Sequence, residues 1–418
     1  MKYVITFVIG LALMPGLGVN INLGLFYITP LRLALIFLPI VYIGERLVFK
    51  EEGYYLKQEN LFSIVFMIIW FLYSIVTLFW CKDVDAWSHG LYFIGIGIWS
   101  VLWFDMSDLK MKDYFFVLKG VYVVIILHNI IGWSEIVTHN YMFAPIERII
   151  SMQQNKQFFP ISMMLNQNDF AMVLIFGACL SIFFIIVAEG YVFKIFCFAV
   201  FISNSCLIVL TDSRLGIVGF GIAIIIIAYV IIPRKYKKIL ICLGIVLIIT
   251  SVLLFPKEYV NLVAQIRGIE IKRSGNPLVD SDAVRVNLLK NGLYFLKETF
   301  GFGVGLGNVE YWMQNEALYY VRGFVNMHNW WMEILAAFGI GIFVLYVVFY
   351  LNLFLSFKKK NKISNDKRVK MLSVTFLGFL GAFSVASISS SSNWGKEWLW
   401  IIWAFMIAYE GYSEKRDI

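Results

Sequence analysis

Long unbroken apolar runs separated by short polar blocks dominate this chain. They lie near 3–19, 29–46, 61–80, 90–104, 114–133, 170–188, 194–211, 214–233, 239–255, 329–356, 371–389 and 398–412. Each is long enough, or nearly so, to cross hydrocarbon as a helix of about 20 residues. The runs are continuous rather than alternating, which excludes β-barrel spans. The pattern therefore predicts an all-α fold, a polytopic transmembrane helix bundle of about 12 spans. It divides the chain into an N-terminal bundle of about nine spans over 1–255, a large loop over 256–328 and about three C-terminal spans over 329–418. The opening MKYVITFVIGLALMPGLG has no small-residue cleavage site and reads as the first span.

Composition agrees. The chain has 418 residues, 60% of them hydrophobic and 15% charged, more apolar surface than a soluble fold hides. The net charge of +8 gathers in blocks between spans, which favours a membrane surface over nucleic acid as its partner. RLVFKEEGYYLK (46–57), KMK (110–112), PRKYKK (233–238), KKKNKISNDKRVK (358–370) and EKR (414–416) fall on one side of the bundle, predicted to be cytoplasmic together with both termini. On the other side lie loops 134–169 and 256–328. The second carries Lys257, Arg267, Lys272, Arg273, Arg285, Lys290, Lys297 and Arg322. A basic surface kept there implies an anionic partner.

Within that loop, SDAVRVNLLKNGLYFLKETF (281–300) reads as an amphipathic helix with Ser281 at its start, Val284, Leu288, Phe295 and Leu296 on its apolar face, and Gly301 as its stop. GFGVGLGN (301–308) reads as turn-rich backbone. No strand precedes it, so it is no dinucleotide fingerprint. The five cysteines have no metal-ligand spacing, and no P-loop, HExxH or Cys/His cluster is present. No metal and no cofactor are expected.

VNMHNWWMEILAAFGIGIFVLYVVFYL (325–351) reads as one membrane helix opening on His328, Asn329 and Glu333. One reading is an interfacial start, with Asn329 as N-cap and Trp330 and Trp331 in the aromatic belt. The other makes His328 a general base, since imidazole titrates near neutrality. Glu333 shares a face with Asn329, and a carboxylate one turn into lipid costs roughly 2–3 kcal/mol, so it is expected to face the bundle or a wet cavity. In TDSRLG (211–216), Arg214 either pairs with Asp212 or offers its planar fork to an anionic group. Arg285 is either a solvated helix residue or a second anion contact. Arg267, Lys272 and Arg273 have weaker claims, as do Arg322 and Tyr320 as substrate contacts. His128 and Asn129, inside the fifth span, read as a hydrogen-bonded core pair. Trp312, Tyr319, Tyr320, Trp330, Trp331 and Trp394 suit an interfacial belt, with sugar stacking as the alternative.

Several of these stretches resemble the O-antigen ligase and Wzy-type polymerase superfamily, which includes capsular and teichuronic acid polymerases. They are LNQNDFAM (165–172), TDSRLG, 281–307 with its internal arginine, and HNWWMEILAAFG. The ligase-type signature is His, then Asn, Ser or Gln, nine residues and GxxG. Here it runs His328, Asn329, nine residues and Gly339, but Ile342 stands where the second glycine is expected and Gly341 precedes it.

The resemblance implies a metal-independent glycosyltransferase of the bacterial cytoplasmic membrane, working on its outer face. The donor is an undecaprenyl-diphosphate-linked oligosaccharide and the acceptor a sugar hydroxyl of another lipid-linked repeat. The product is a growing polysaccharide of a capsule, O-antigen, exopolysaccharide or teichuronic acid type. Membrane lipid and a chain-length regulator and flippase of the same pathway are the implied partners. In that frame Arg214 and Arg285 clamp the departing diphosphate and His328 takes the acceptor proton. Glu333 or Asn329 fixes the imidazole tautomer, and Asp212 supports Arg214. A ligase that moves finished glycan to another acceptor needs the same parts. A lipid-linked glycan transporter predicts ionisable residues near the midplane, whereas these gather at a boundary.

Overall fold

The computed structural model describes residues 1–17, 21–22, 27–49, 57–154, 158–239, 281–388 and 393–414. Its helices are α1 (Lys2–Ala12), α2 (Pro30–Phe49), α3 (Leu61–Val76), α4 (Val84–Met106), α5 (Met111–Thr138), α6 (Ile146–Gln154), α7 (Gln167–Val187), α8 (Tyr191–Leu210), α9 (Arg214–Ile231), α10 (Ser281–Glu298), α11 (Val309–Asn315), α12 (Trp330–Ile363), α13 (Lys367–Ala386) and α14 (Glu397–Glu410). A two-residue antiparallel ladder, Ile21–Asn22 with Tyr27–Ile28, links α1 to α2.

Hydrophobic continuity placed these helices. Every predicted apolar segment falls on one of them except 239–255, which lies outside the described residues beyond its first. Among the described residues, seven helices are long and apolar enough to cross a membrane: α3 with its short 3-10 extension, α5, α7, α8, α9, α12 and α13. Of the other apolar segments, α1 and α14 are short, at 11 and 14 residues, and α2 and α4 carry charges within their length. The chain is a multi-pass membrane protein.

The core forms around α13, which is buried along most of its length and packs against α7, α9 and α12. Small residues bring the helices together: Gly219 of α9 sits on Ala382 and Ala386, and Gly378 receives Ile227. α14 lies on α4 and α1 on α5. Within α5, His128 and Asn129 are both buried but do not bond each other, contrary to the expected pair. The His128 Nε2–H donates to the Leu13 carbonyl at 2.7 Å, so Nδ1 accepts from the Ser162 hydroxyl at 2.9 Å. Asn129 instead reaches Asn204 on α8 at 3.0 Å and accepts from Ser203 at 2.6 Å.

The segment predicted as one continuous helix over 329–356 is broken. Gly339 adopts φ 76°, ψ −177° inside α12, a conformation essentially reserved for glycine. The first segment, 330–338, folds back along the second: the Trp331 ring lies 5.2 Å from the Tyr350 ring. Such a break strands backbone groups, which a membrane protein must satisfy from within. The alternating-glycine loop does this. Val304 and Gly305 donate to the carbonyls of Ala336 and Ala337, and Ile340 donates to Gly301, each at 2.9 Å. Gly301, Gly303, Gly305 and Gly307 all take positive φ, as turn-rich backbone requires. A Cβ on Gly303 would stand 2.5 Å from the Gly339 nitrogen. The loop is held from the far side by Tyr73 and Trp80, which donate to the carbonyls of Phe302 and Gly303 at 2.6 and 2.9 Å. Hydropathy alone cannot reveal this arrangement, because a folded-back apolar segment is as apolar as a straight one.

Candidate functional site

One end of the bundle collects the starts of α7, α9, α12 and α14 and the finish of α13. Its opposite end carries the lysines that close α12, Lys360 and Lys362. The candidate residues stand at the first end.

His328 lies immediately before α12 in a left-handed conformation, φ 47°, and its backbone N–H donates to the Asn326 side chain at 3.1 Å. A bulky residue held there is uncommon and marks a constrained turn. Asn329 is the N-cap, as expected: its side-chain oxygen accepts from the Met332 N–H at 3.1 Å. That oxygen is therefore occupied by the helix. Trp330 donates its backbone N–H to Ser387 at 3.3 Å and Trp331 its indole N–H to Ser384 at 3.0 Å, tying the start of α12 to the end of α13.

Glu333 faces the bundle. It is only 3% exposed, hydrogen-bonded to the Asn393 backbone and the Trp394 side chain, with the Glu310 carboxylate and the Lys396 ammonium both close enough to act on its charge. Its second oxygen has no hydrogen-bond partner among the described residues. A buried acceptor left without a donor is costly.

Arg214 is the first residue of α9, beside its N-cap Ser213, whose side chain accepts from the Gly216 N–H. It is exposed, and among the described residues no ion pair joins it to Asp212, contrary to the salt-bridge reading. Asp212 has φ 55° and is exposed. The Ser213 hydroxyl bonds Asn168 at 2.8 Å, anchoring the Arg214 turn to the start of α7. Arg285 is exposed on α10. That helix reaches α12 through Gly292, which touches Met327 and Met332, and through Asn287 and Asn291, which donate to the carbonyls of Tyr320 and Tyr319 at 2.9 and 2.8 Å. Arg322 and Tyr320 are exposed on the same connection. Arg267 and Arg273, with Lys272, lie outside the described residues.

Arg214, Arg285 and His328 thus stand on three different elements: α10 packs against α12, at whose start His328 lies, whereas α9 packs against α13 and α7.

Sequence reading missed a charged cluster beside this group. Lys396 pairs with Asp169 at 2.6 Å and Arg32 with Glu397 at 2.7 Å, all four side chains less than a fifth exposed. They line a cavity of about 300 Å³ together with Thr29, Met14 and Leu165. The 3-10 turn Asn393–Gly395 leads into Lys396 on this cavity while its own residues bind Glu333. The available signal was the one used for Glu333: a charge in the first turn of an apolar helix, which Arg32, Asp169 and Glu397 all are. No group of His, Cys, Asp and Glu among the described residues has the geometry to hold a metal.

A polytopic bundle of this kind is a multi-pass membrane protein, and part of the chain is similar to the O-antigen ligase family. Residues 197–347 match the family model described as O-Antigen ligase, a stretch that includes Arg214, Arg285, His328 and Gly339. The chain is also similar to the teichuronic acid biosynthesis protein TuaE of Bacillus subtilis (strain 168), with 28% identity over 351 residues, covering 82% of this chain and 70% of that protein.

Proposed function

We propose that this protein polymerises lipid-linked oligosaccharide repeats into a cell-surface polysaccharide on the outer face of the cytoplasmic membrane. The carrying observation is the similarity to a teichuronic acid biosynthesis protein over 82% of the chain, supported by Arg285 exposed on a helix that packs against α12 and by Arg214 exposed at the start of α9. The donor is a saccharide on undecaprenyl diphosphate and the acceptor a hydroxyl of a second lipid-linked repeat.

The acceptor oxygen attacks the anomeric carbon and its proton passes to the His328 imidazole, a role typically worth about 10²–10⁴ in rate. The glycosidic C–O bond breaks and its electron pair leaves with the lipid diphosphate. Arg214 and Arg285 meet that charge, each charge-assisted contact contributing roughly 1.5–3 kcal/mol. Glu333 supports this end of α12 from beneath, through the 3-10 turn that it binds. No nucleotide or metal is required, because the diphosphate already activates the donor. In this reading both termini lie in the cytoplasm and the loop 256–328 outside it, as the distribution of basic blocks supports.

The family model's description favours a second reading, transfer of finished glycan to a different acceptor. Gel analysis of surface glycan from a deletion strain separates the two. Repeats that stop at one support polymerisation. Full-length polymer stranded on the carrier lipid supports ligation and overturns it.

A further inference from the structure

Arg32 belongs to two cavities at once. On one side is the polar chamber with Asp169, Lys396 and Glu397. On the other is a groove of about 570 Å³ between α2 and α4, walled by Leu35, Ile36, Trp87, Leu91, Tyr92 and Trp99 with Phe71 at its back. Among the described residues, Arg32 is the only charged one lining that groove. From Trp87 to Trp99 the groove follows α4 for about 18 Å at 1.5 Å per residue. Its floor is opened by Gly95, where an added Cβ would meet only the Phe71 ring, at 3.8 Å.

The position of Arg32 is not one that the helix favours. It lies in the first turn of α2, where the helix dipole disfavours a cation. It is held there by Glu397 and by the Tyr92 ring, 4.6 Å from the guanidinium carbon. A guanidinium pinned where a polar chamber meets a ring-lined apolar groove has the polarity profile of an amphiphile. The chamber takes a head, the groove takes a chain, and the planar cation takes a phosphate between them.

Polymerisation brings two lipid-linked substrates together, and Arg214 and Arg285 serve the diphosphate of one. We infer that the α2–α4 groove is a second carrier-lipid site, which holds the isoprenoid chain of the acceptor in the groove, its diphosphate at Arg32 and its first sugars in the chamber beside Asp169 and Lys396. The inference rests on the polymerase reading above. The chamber wall at Gly395–Lys396 directly follows the residues that hold Glu333, so a glycan leaving the chamber emerges toward the start of α12. Phe93 and Trp394, 5.9 Å apart, stand on that route and suit stacking on sugar rings.

Native mass spectrometry of the full chain in lipid nanodiscs, titrated with undecaprenyl diphosphate, tests this. The wild type is expected to take up two carrier lipids. G95F, which fills the groove floor, and the charge-neutral pair R32Q/E397Q are each expected to take up one, with the second affinity reduced at least ten-fold. R214A is expected to keep the groove-bound lipid. Two variants acting at different places, the groove floor and its charged end, guard against misfolding of either. Uptake of one lipid by the wild type, unchanged in G95F and R32Q/E397Q but lost in R214A, would sink the second site and leave the donor site standing. No uptake at all would remove the carrier-lipid reading itself. Displacement by equimolar dioleoylphosphatidylglycerol would make the groove a general lipid seam and overturn the inference.

Discussion

Trp330 donates its indole N–H to the Tyr346 hydroxyl at 2.8 Å, although sixteen residues of one helix separate them. Along a straight helix that separation is about 24 Å. The bond therefore fixes how sharply α12 turns at Gly339, and with it where His328 and Glu333 come to rest against α13. Both partners are buried, as are Trp70 and Phe66, whose rings lie 5.6 and 6.3 Å from Tyr346. The His328 end of α12 is thus positioned by an aromatic cluster below it rather than by a loop above it.

Gly339→Ala should be the most destabilising single substitution in this region. The backbone conformation resists any Cβ, and the added carbon would stand 2.2 Å from the Gly301 carbonyl oxygen. Neither the helix break nor the glycine loop can yield without losing the three hydrogen bonds between them. A loss on the order of 3 kcal/mol is expected, visible as a lowered unfolding midpoint in detergent. Gly341→Ala is the control: nothing lies within 4 Å of its Cβ position, so stability should hold or rise by up to about 1 kcal/mol. Equal loss in both would show that the break does not govern this helix.

Asn329 and His328 are adjacent but should fail differently. Removing the cap in Asn329→Ala should cost about 1 kcal/mol of stability, while Asn329→Asp keeps the acceptor and should restore it. Polymer synthesis should follow stability in that series. His328→Ala should fold normally and lose roughly 10²–10⁴ in rate. A His328 variant with normal polymer length would remove its role as base, and an unstable but catalytically intact one would make it a turn residue.

The contrast shows what was legible in the chain. The N-cap at Asn329 could be read because it depends on residues within one turn, and the burial of Glu333 because a carboxylate facing lipid is costly. The span positions could be read because hydrocarbon requires about 20 continuous apolar residues. The pairs Arg32–Glu397 and Asp169–Lys396 join residues 365 and 227 positions apart, and only the assembled bundle brings them together. His128 illustrates the same limit. Its neighbour Asn129 was the obvious partner in sequence, but successive helical residues point to different faces, and its bonds go to Leu13 and Ser162 instead.

Removing one member of the Asp169–Lys396 pair should cost more than removing both. The two side chains are 8% and 14% exposed, and an uncompensated charge left in such a place typically costs about 3–5 kcal/mol. Lys396→Met should therefore lower the unfolding midpoint strongly, and Asp169→Asn in the same chain should recover much of the loss. Additive losses would show that the groups do not share an interaction.

Arg214 offers the sharpest separation of chemistry from structure. It is exposed, begins α9, and among the described residues makes no ion pair with Asp212. Its replacement should leave folding within about 0.5 kcal/mol, as is usual at exposed positions. Arg214→Lys keeps the charge but loses the planar two-pronged donor that a diphosphate accepts. It should fold as the wild type does and make only short glycans. Asp212→Asn should leave chain length unchanged, since no bond to Arg214 is lost. Chain length measured on gels for the two variants decides the matter. Full-length polymer from Arg214→Lys would reduce Arg214 to a point charge at most, and short glycans from Asp212→Asn would return the pair to a joint role that this geometry does not support.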